Sequence, residues 1–460
     1  MVLTGITDTI AAISTPAGEG GIGIVRLSGK GALGIADKIF ISSSGKKPSN
    51  FKTHTLHYGA IVEGERVIDE AILTLMLAPK SYTREDIVEI NCHGGIAVLQ
   101  DVLRLTLKYG ARLASPGEFT KRAFLNGRID LAQAEAVIDI VRAKTDSALK
   151  ISTEQLRGGL SKEVNKIRGR LLEILATIEA GIDFPGEDLK GDNKSKIKDK
   201  LKGALVDLMN LVAGFSKGKV IREGVKIAIC GKPNVGKSSL LNILLKQERA
   251  LVTSYSGTTR DIIEDIIDIK GIPVKIADTA GILKPKGLIE DKAVKRTYSY
   301  IDTADIAILL FDGSKSLNKD DLRLMNKLKK RRVIAVINKI DIKQKIDRER
   351  IKKSFSRMLE ISAKKAKNIN LLEEEIANLV FKGRAGQQEH VLVANFRHAE
   401  LLKKAQKNIE EALISLDNKA PEEFFAYDIK EAASYLEDIL GKGTSEGVLD
   451  EIFKRFCIGK

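Results

Sequence analysis

The spacing of apolar and polar residues divides the chain into four stretches. Over residues 1–120, short apolar runs (GIGIVRL, AILTLML, DIVEINC) alternate with glycine-rich turns, a pattern that predicts strands with one or two covering helices. Residues 121–218 change to helical spacing. FLNGRIDLAQAEAVIDIVRAKT puts Leu131, Ala134, Val137, Ile138 and Val141 on one helical face, and LRGGLSKEVNKIRGRLLEILATIEAGI continues the style. The Lys-rich GDNKSKIKDK (191–200) reads as a solvated linker or a helix start. Residues 219–380 alternate strand runs (VKIAIC, VKIADTAG, IAILLF, RVIAVINK, RMLEIS) with helical segments such as SSLLNILL, which predicts a doubly wound, largely parallel sheet. Residues 381–460 are helical again, through NFRHAELLKKAQKNIEEALISL and DIKEAASYLEDIL. Neither helical stretch alone offers much core, so the two are expected to pack together and make the α/β domain an insertion.

Composition narrows the setting. The chain has 460 residues and is 43% hydrophobic, enough for two to four domains with real cores. No run of 18 apolar residues occurs, so no membrane span is expected, and MVLTGITDTI lacks the basic leader of a secretory signal. Cys92, Cys230 and Cys457 lie far apart, which argues against a zinc site or disulfide framework and suits a reducing, cytoplasmic compartment. Cys230, ending an apolar run, reads as core. The net charge of +15 fits either a generic basic surface or a polyanionic partner such as RNA. Few aromatics and no Trp speak weakly against a base-stacking platform, while contact with a tRNA by shape and phosphate stays compatible with the charge.

The chemistry concentrates in residues 231–364. Gly231-Lys232-Pro233-Asn234-Val235-Gly236-Lys237-Ser238, followed by Ser239, fits G-x-x-x-x-G-K-[ST] between a strand and a helix. Its glycines let main-chain N–H groups turn toward phosphate oxygens, Lys237 can reach the β/γ-phosphates, and the Ser238 hydroxyl can ligate Mg²⁺ at the start of the helix. Asn338-Lys339-Ile340-Asp341 follows VIAVI, at the carboxyl end of a strand. The Asp341 carboxylate can accept from guanine N1–H and N2, donors that adenine lacks, while Asn338 can bond the base's other polar edge and the Lys339 stem can cover its face. Ser362-Ala363-Lys364 is the expected last base-contact loop. Asp278-Thr279-Ala280-Gly281 and Thr258-Thr259-Arg260-Asp261 supply the switch positions: Asp278 can hold Mg²⁺ through water, the Gly281 N–H can meet the γ-phosphate, and Thr259 can close over the metal. Five motifs in this order predict a P-loop GTPase with GTP and Mg²⁺. Ile282 stands where Ras-like enzymes place a water-orienting Gln, so another group must orient water. Gly18-Glu19-Gly20-Gly21-Ile22-Gly23 matches G-x-G-x-x-G, but it leads into a strand rather than following one, and reads as a tight turn instead of a dinucleotide site.

With these residues laid out, the chain resembles the MnmE (TrmE) family of tRNA-modification GTPases nearly end to end. GEGGIGIVRLSG, EDIVEINCHGG, SPGEFTKRAFLNGRIDLAQAEAV, IDFP, GKPNVGKSSLLN, SGTTRD, DTAG and FCIGK all look like family motifs. The resemblance implies an α+β N-terminal folate-binding and dimerisation domain (1–120), an all-α helical domain in two parts (121–218 and 381–460) and an inserted α/β P-loop GTPase domain (219–380). It implies addition of an aminomethyl or carboxymethylaminomethyl group to C5 of the wobble uridine of certain tRNAs, by a homodimer in a heterotetramer with an MnmG-type FAD-dependent protein. Formyl- or methylene-tetrahydrofolate is the implied one-carbon source, with Arg26, Glu89, Arg128 (where family members often have Lys) and Lys460 lining its pocket. For hydrolysis it implies a K⁺ ion held by Asn234, Thr253, Tyr255 and Thr258, within a nucleotide-binding switch loop that also holds Ser254, Ser256 and Gly257. The water-orienting glutamate falls on Glu290, with Asp291 as the neighbouring alternative because Ala293 stands where the family usually has Gly. An RNA-binding assembly GTPase without modification chemistry is the alternative that the basic charge keeps open.

Overall fold

The computed structural model describes residues 8–16, 18–183, 191–248, 264–277, 302–381 and 393–460. The chain forms two compact units: residues 1–138, 156–168 and 433–460 make the first, and residues 139–155 and 169–432 the second. These units cut across the segment boundaries expected from sequence texture, because residues 433–460 group with the amino-terminal third of the chain.

The first unit is built on seven strands: β1 (Ile10–Ile13), β2 (Gly23–Ser28), β3 (Phe40–Ser42), β4 (Thr55–Glu63), β5 (Arg66–Met76), β6 (Ile87–Cys92) and β7 (Arg112–Leu113). Their order is β3-β4-β5-β6-β2-β1-β7, antiparallel throughout except for the β1–β7 pair. The period-2 alternation sets the faces. Val25, Leu27, Leu73, Leu75, Val88 and Ile90 point to one side, where helices Ala32–Ile39 and Ile96–Lys108 cover them with Ile35, Ile39, Val102 and Leu105. Residues 18–23 lead directly into β2, as the tight-turn reading expected. Phe453, which ends helix Glu446–Phe453, and Phe456 just past it join a core with Ala123, Ile129, Leu131, Ala134 and Ile138. The final residues lie against β1: Gly459 has φ 90°, and a Cβ there would come within 2.5 Å of the Ile13 carbonyl.

In the second unit, β8 (Val225–Cys230), β9 (Glu264–Ile269), β10 (Ile272–Ala277), β11 (Ile306–Asp312), β12 (Val333–Asn338) and β13 (Met358–Glu360) form a sheet of order β13-β12-β11-β8-β10-β9. All its pairings are parallel except β9 with β10. Every residue of β11 and β12 is buried, as a parallel sheet covered on both faces requires. β9 is an addition to the sequence reading: in EDIIDI the apolar residues do not alternate strictly with the polar ones, so the run carries a weaker strand signal than its neighbours.

GDNKSKIKDK proves to be the start of helix Gly191–Ala213, with Ile197 buried. That helix packs along helix Phe396–Asp417, tied by Lys198–Asp417, and Phe215 at the start of the next helix (Phe215–Glu223) faces Phe396 with ring centroids 6.4 Å apart. The segments on either side of the α/β sheet therefore meet, and the GTPase-type fold is inserted between helical parts. One helical position departs from expectation: Val141 is 46% exposed, because the buried face of helix Leu131–Arg142 runs through Leu131, Ala134 and Ile138 instead.

Candidate functional site

At the carboxyl end of β8 the backbone makes the turn that the glycine spacing calls for. Gly231 has φ 145° and Gly236 φ 103°, and Asn234 sits between them at φ 65°. A side chain would not fit at either glycine: a Cβ on Gly231 would lie 2.6 Å from the Leu310 carbonyl, and one on Gly236 would strike the Asn338 amide. The loop is thus bare backbone at both glycines, the form a phosphate cradle requires. Lys237 Nζ donates to the Gly231 and Lys232 carbonyls, both at 2.8 Å, which holds its charge across the loop. Helix Lys237–Glu248 begins there, one residue earlier than expected, with Ser238 and Ser239 exposed in its first turn. Lys232 is drawn aside by Asp321 at 2.6 Å.

Asn338, at the carboxyl end of β12, ties the base loops to this cradle. Its Nδ2 donates to the Val235 carbonyl (2.8 Å), and its Oδ1 accepts from the N–H groups of Lys339 (2.8 Å) and Ala363 (2.9 Å). Asn338 is 2% exposed, so this amide is a buried strut, and one Nδ2 hydrogen remains for a base edge. Lys339 adopts φ 68°, and its Nζ reaches the Asn234 carbonyl and the Asp312 carboxylate, both at 2.7 Å. Burial pushes the Asp312 carboxyl up, but hydrogen bonds from Lys339 and Ser314 outweigh it and hold the group below its usual range. Asp341 is exposed and accepts from the Ser362 hydroxyl at 2.6 Å, a bond that keeps its carboxylate ionised. Ser362 and Lys367 bridge the last loop, burying Ser362 and Ala363 and leaving Lys364 exposed. Residues 234–239, 338–341 and 362–364 therefore form one hydrogen-bonded constellation. Thr253, Ser254, Tyr255, Ser256, Gly257, Thr258, Thr259, Asp278, Thr279, Ala280, Gly281, Glu290 and Asp291 lie outside the described residues.

The first unit groups a second set. Arg26 on β2 and Glu89 on β6 are direct register partners, joined at 2.7 Å, with side chains 20% and 17% exposed. Arg26 also donates to the Gly459 carbonyl (3.1 Å), next to Lys460, and its guanidinium stands 5.7 Å from the Phe119 ring centroid. Arg128 lies 4.7 Å over the Tyr82 ring. Burial raises the Tyr82 pKa, opposed by its hydrogen bond to Thr120 and by the charges of Arg128 and Arg26.

Two family models match the chain: one described as the GTP-binding protein TrmE N-terminus over residues 9–128, the other as the MnmE helical domain over residues 131–457. The tRNA modification GTPase MnmE of Clostridioides difficile is 46% identical over 457 residues, covering 99% of this chain and 100% of its own. The chain belongs to the MnmE family of tRNA modification GTPases. Its members from Carboxydothermus hydrogenoformans (44% identical; 98% of this chain, 99% of that one) and Thermoanaerobacter pseudethanolicus (46%; 99% and 100%) match over the same extent. By that membership it is a GTP hydrolase.

Several residues of this MnmE-family chain were not singled out from sequence. Asp312, which anchors Lys339, ends IAILLFD at the same sheet edge as the nucleotide motifs, and strand-end position is the signal that could have found it. Tyr82 and Phe119 have no such signal, because only the fold brings them beside Arg128 and Arg26. Cys230 lies in the core, as its place at the end of an apolar run suggests: burial pushes its thiol up to about 12, and burial with the Asp69 charge pushes Cys92 up to about 11.

Proposed function

We propose that the chain is the K⁺-stimulated, GTP-hydrolysing component of a cytoplasmic complex that adds an aminomethyl or carboxymethylaminomethyl group to C5 of the wobble uridine of certain tRNAs. In this reading the cradle amides and Lys237 bind the β- and γ-phosphates, and Asp341, fixed by Ser362, selects guanine through two donors that adenine lacks. Asn338 keeps the base loop in step with the cradle. Ser238 and Thr259 are the Mg²⁺ ligands. The exposed Ser238 hydroxyl at a helix N-terminus suits a hard cation beside phosphate. Asn234, exposed at its left-handed turn, would hold K⁺ together with Thr253, Tyr255 and Thr258; a bound K⁺ supplies positive charge where negative charge develops. Glu290 orients the attacking water.

The observation that carries the modification reading over a plain RNA-binding assembly GTPase is the grouping of Arg26, Glu89, the Gly459–Lys460 tail and the Arg128–Tyr82 stack within one unit. A carboxylate paired with one guanidinium, with a second guanidinium and two aromatic rings in the same unit, fits a pterin edge and glutamyl carboxylates, and a tetrahydrofolate derivative bound there would supply the one-carbon unit. The sheet face that carries Arg26 and Glu89 continues sideways, through the register pairs, into exposed Leu56, Tyr58 and Ile72, an apolar row suited to a second copy of the chain. An MnmG-type flavoprotein completes the proposed complex.

The test is nucleoside analysis of tRNA from a strain lacking the gene. The C5 group should disappear, return with the wild-type gene and stay absent with Arg26→Ala. An intact wobble uridine modification in the deletion strain would refute the proposal and favour the assembly alternative. The purified protein should hydrolyse GTP more slowly in NaCl than in KCl.

A further inference from the structure

The chain's excess of positive charge is concentrated in one segment. Residues 219–380 carry 34 Lys and Arg against 21 Asp and Glu, nearly the whole of the net +15. Within it, two basic runs emerge at the amino edge of the sheet, away from the nucleotide loops. Helix Lys319–Leu328 is followed by Lys329-Lys330-Arg331-Arg332, which leads into β12. Helix Arg348–Ser354 has Lys352 and Lys353 in its last turn and leads toward β13. β12 and β13 are parallel neighbours, with Ala335 opposite Met358 and the Ala335 N–H donating to the Arg357 carbonyl at 3.0 Å. Adjacent strands lie about 5 Å apart, so the two runs come out side by side.

Lys329, Lys330, Arg332, Lys352 and Lys353 are exposed and make no ion pair among the described residues. Four of the nearby carboxylates are engaged, and Glu349, exposed one turn before Lys352 and Lys353, forms no ion pair with them. Asp302 faces Arg331 at 3.7 Å, Asp305 accepts from the Lys226 N–H at 2.8 Å, Glu360 holds Arg348 at 2.6 Å, and Glu375 pairs with Arg357. A helix C-terminus suits one or two cations. Five uncompensated cations along one edge repel each other and suit an extended polyanion that releases counterions on docking.

We infer that this edge docks the phosphate backbone of tRNA. The inference rests on the tRNA reading above and adds the surface that makes the contact. No exposed aromatic side chain lies among these five positions, so the recognition is of backbone charge and shape rather than of bases. β12 (Val333–Asn338) sets Arg332, just before it, about 20 Å from Asn338 at the usual rise, so tRNA seated here leaves the nucleotide cradle open.

The experiment measures binding of unmodified tRNA to the purified full chain by fluorescence anisotropy, over a KCl series from about 50 to about 300 mM. The variant combines Lys329→Gln, Lys330→Gln, Arg332→Gln, Lys352→Gln and Lys353→Gln. Affinity should fall at least about tenfold at low salt, and the log–log salt slope should become shallower by roughly three to five. GTP turnover without tRNA and thermal unfolding should stay at wild-type values. The pair Lys352→Gln and Lys353→Gln should give a smaller change of the same sign, which keeps the test open if the fivefold variant folds poorly. A control with Lys46→Gln, Lys47→Gln and Lys52→Gln, exposed in the other unit, should bind as wild type.

Unchanged affinity and slope in the fivefold variant would overturn the surface while leaving the tRNA reading intact. An equal loss in the control would overturn its localisation. A wild-type chain that binds no tRNA would overturn surface and reading together, and binding to anionic phospholipid vesicles in its place would assign the edge to a membrane.

Discussion

At the scale of single residues, the proposed base selection rests on Asp341, a carboxylate whose only side-chain partner described is the Ser362 hydroxyl. Asp341→Asn replaces one acceptor by a donor. Guanine should lose roughly two orders of magnitude in affinity and xanthine should gain, measured as competition against labelled GDP. Retained guanine preference would remove Asp341 from base recognition. Its place beside Ser362 could be read from sequence because the signal is local: a motif at a strand end and a short loop expected after the next strand. Asn338 was only half legible. Its type marked a base contact, whereas its bonds to Val235 and Ala363 join loops more than 20 residues away on either side, which spacing along a chain cannot reveal.

At the scale of elements, the β9–β10 hairpin shows where tertiary contact limits sequence. Its tip is gripped by the start of helix Asp146–Leu156. Thr145 accepts from the Ala148 N–H as that helix's cap and donates to the Gly271 carbonyl, both at 3.2 Å. Gly271 has φ 83°, and a Cβ there would meet Ser147. Gly271→Ala should therefore cost about 1–3 kcal/mol in denaturant unfolding, from left-handed strain plus the clash. Ser147→Gly in the same chain should recover the part due to the clash; no recovery would show that strain alone accounts for the loss. The parallel strands were legible because continuous apolar runs ended in glycine-rich motifs. β9 and the cap at Thr145 were not, since one reads as an irregular mixture and the other is a threonine between two helices.

At the scale of the whole molecule, the multidomain plan was visible in the changes of hydrophobic period. The grouping of residues 433–460 with the first unit was not, because Phe453, Phe456 and Gly459 find their partners more than 300 residues earlier. The open sheet face of that unit bears on assembly. Tyr58→Glu with Ile72→Glu, directly paired across β4 and β5, should convert the proposed dimer to monomers in analytical ultracentrifugation while each monomer keeps its fold. A dimer that survives would place the interface elsewhere.

β12 has a consequence of a different kind. Buried along all six residues, it has no room to flex sideways, and it joins Arg332 at one end to Asn338 at the other. If tRNA on the first end alters how tightly guanosine nucleotides are held at the second, thermodynamic linkage requires GTP and GDP to alter the grip on tRNA by the same factor. Loss of the terminal phosphate would then set when the RNA is let go.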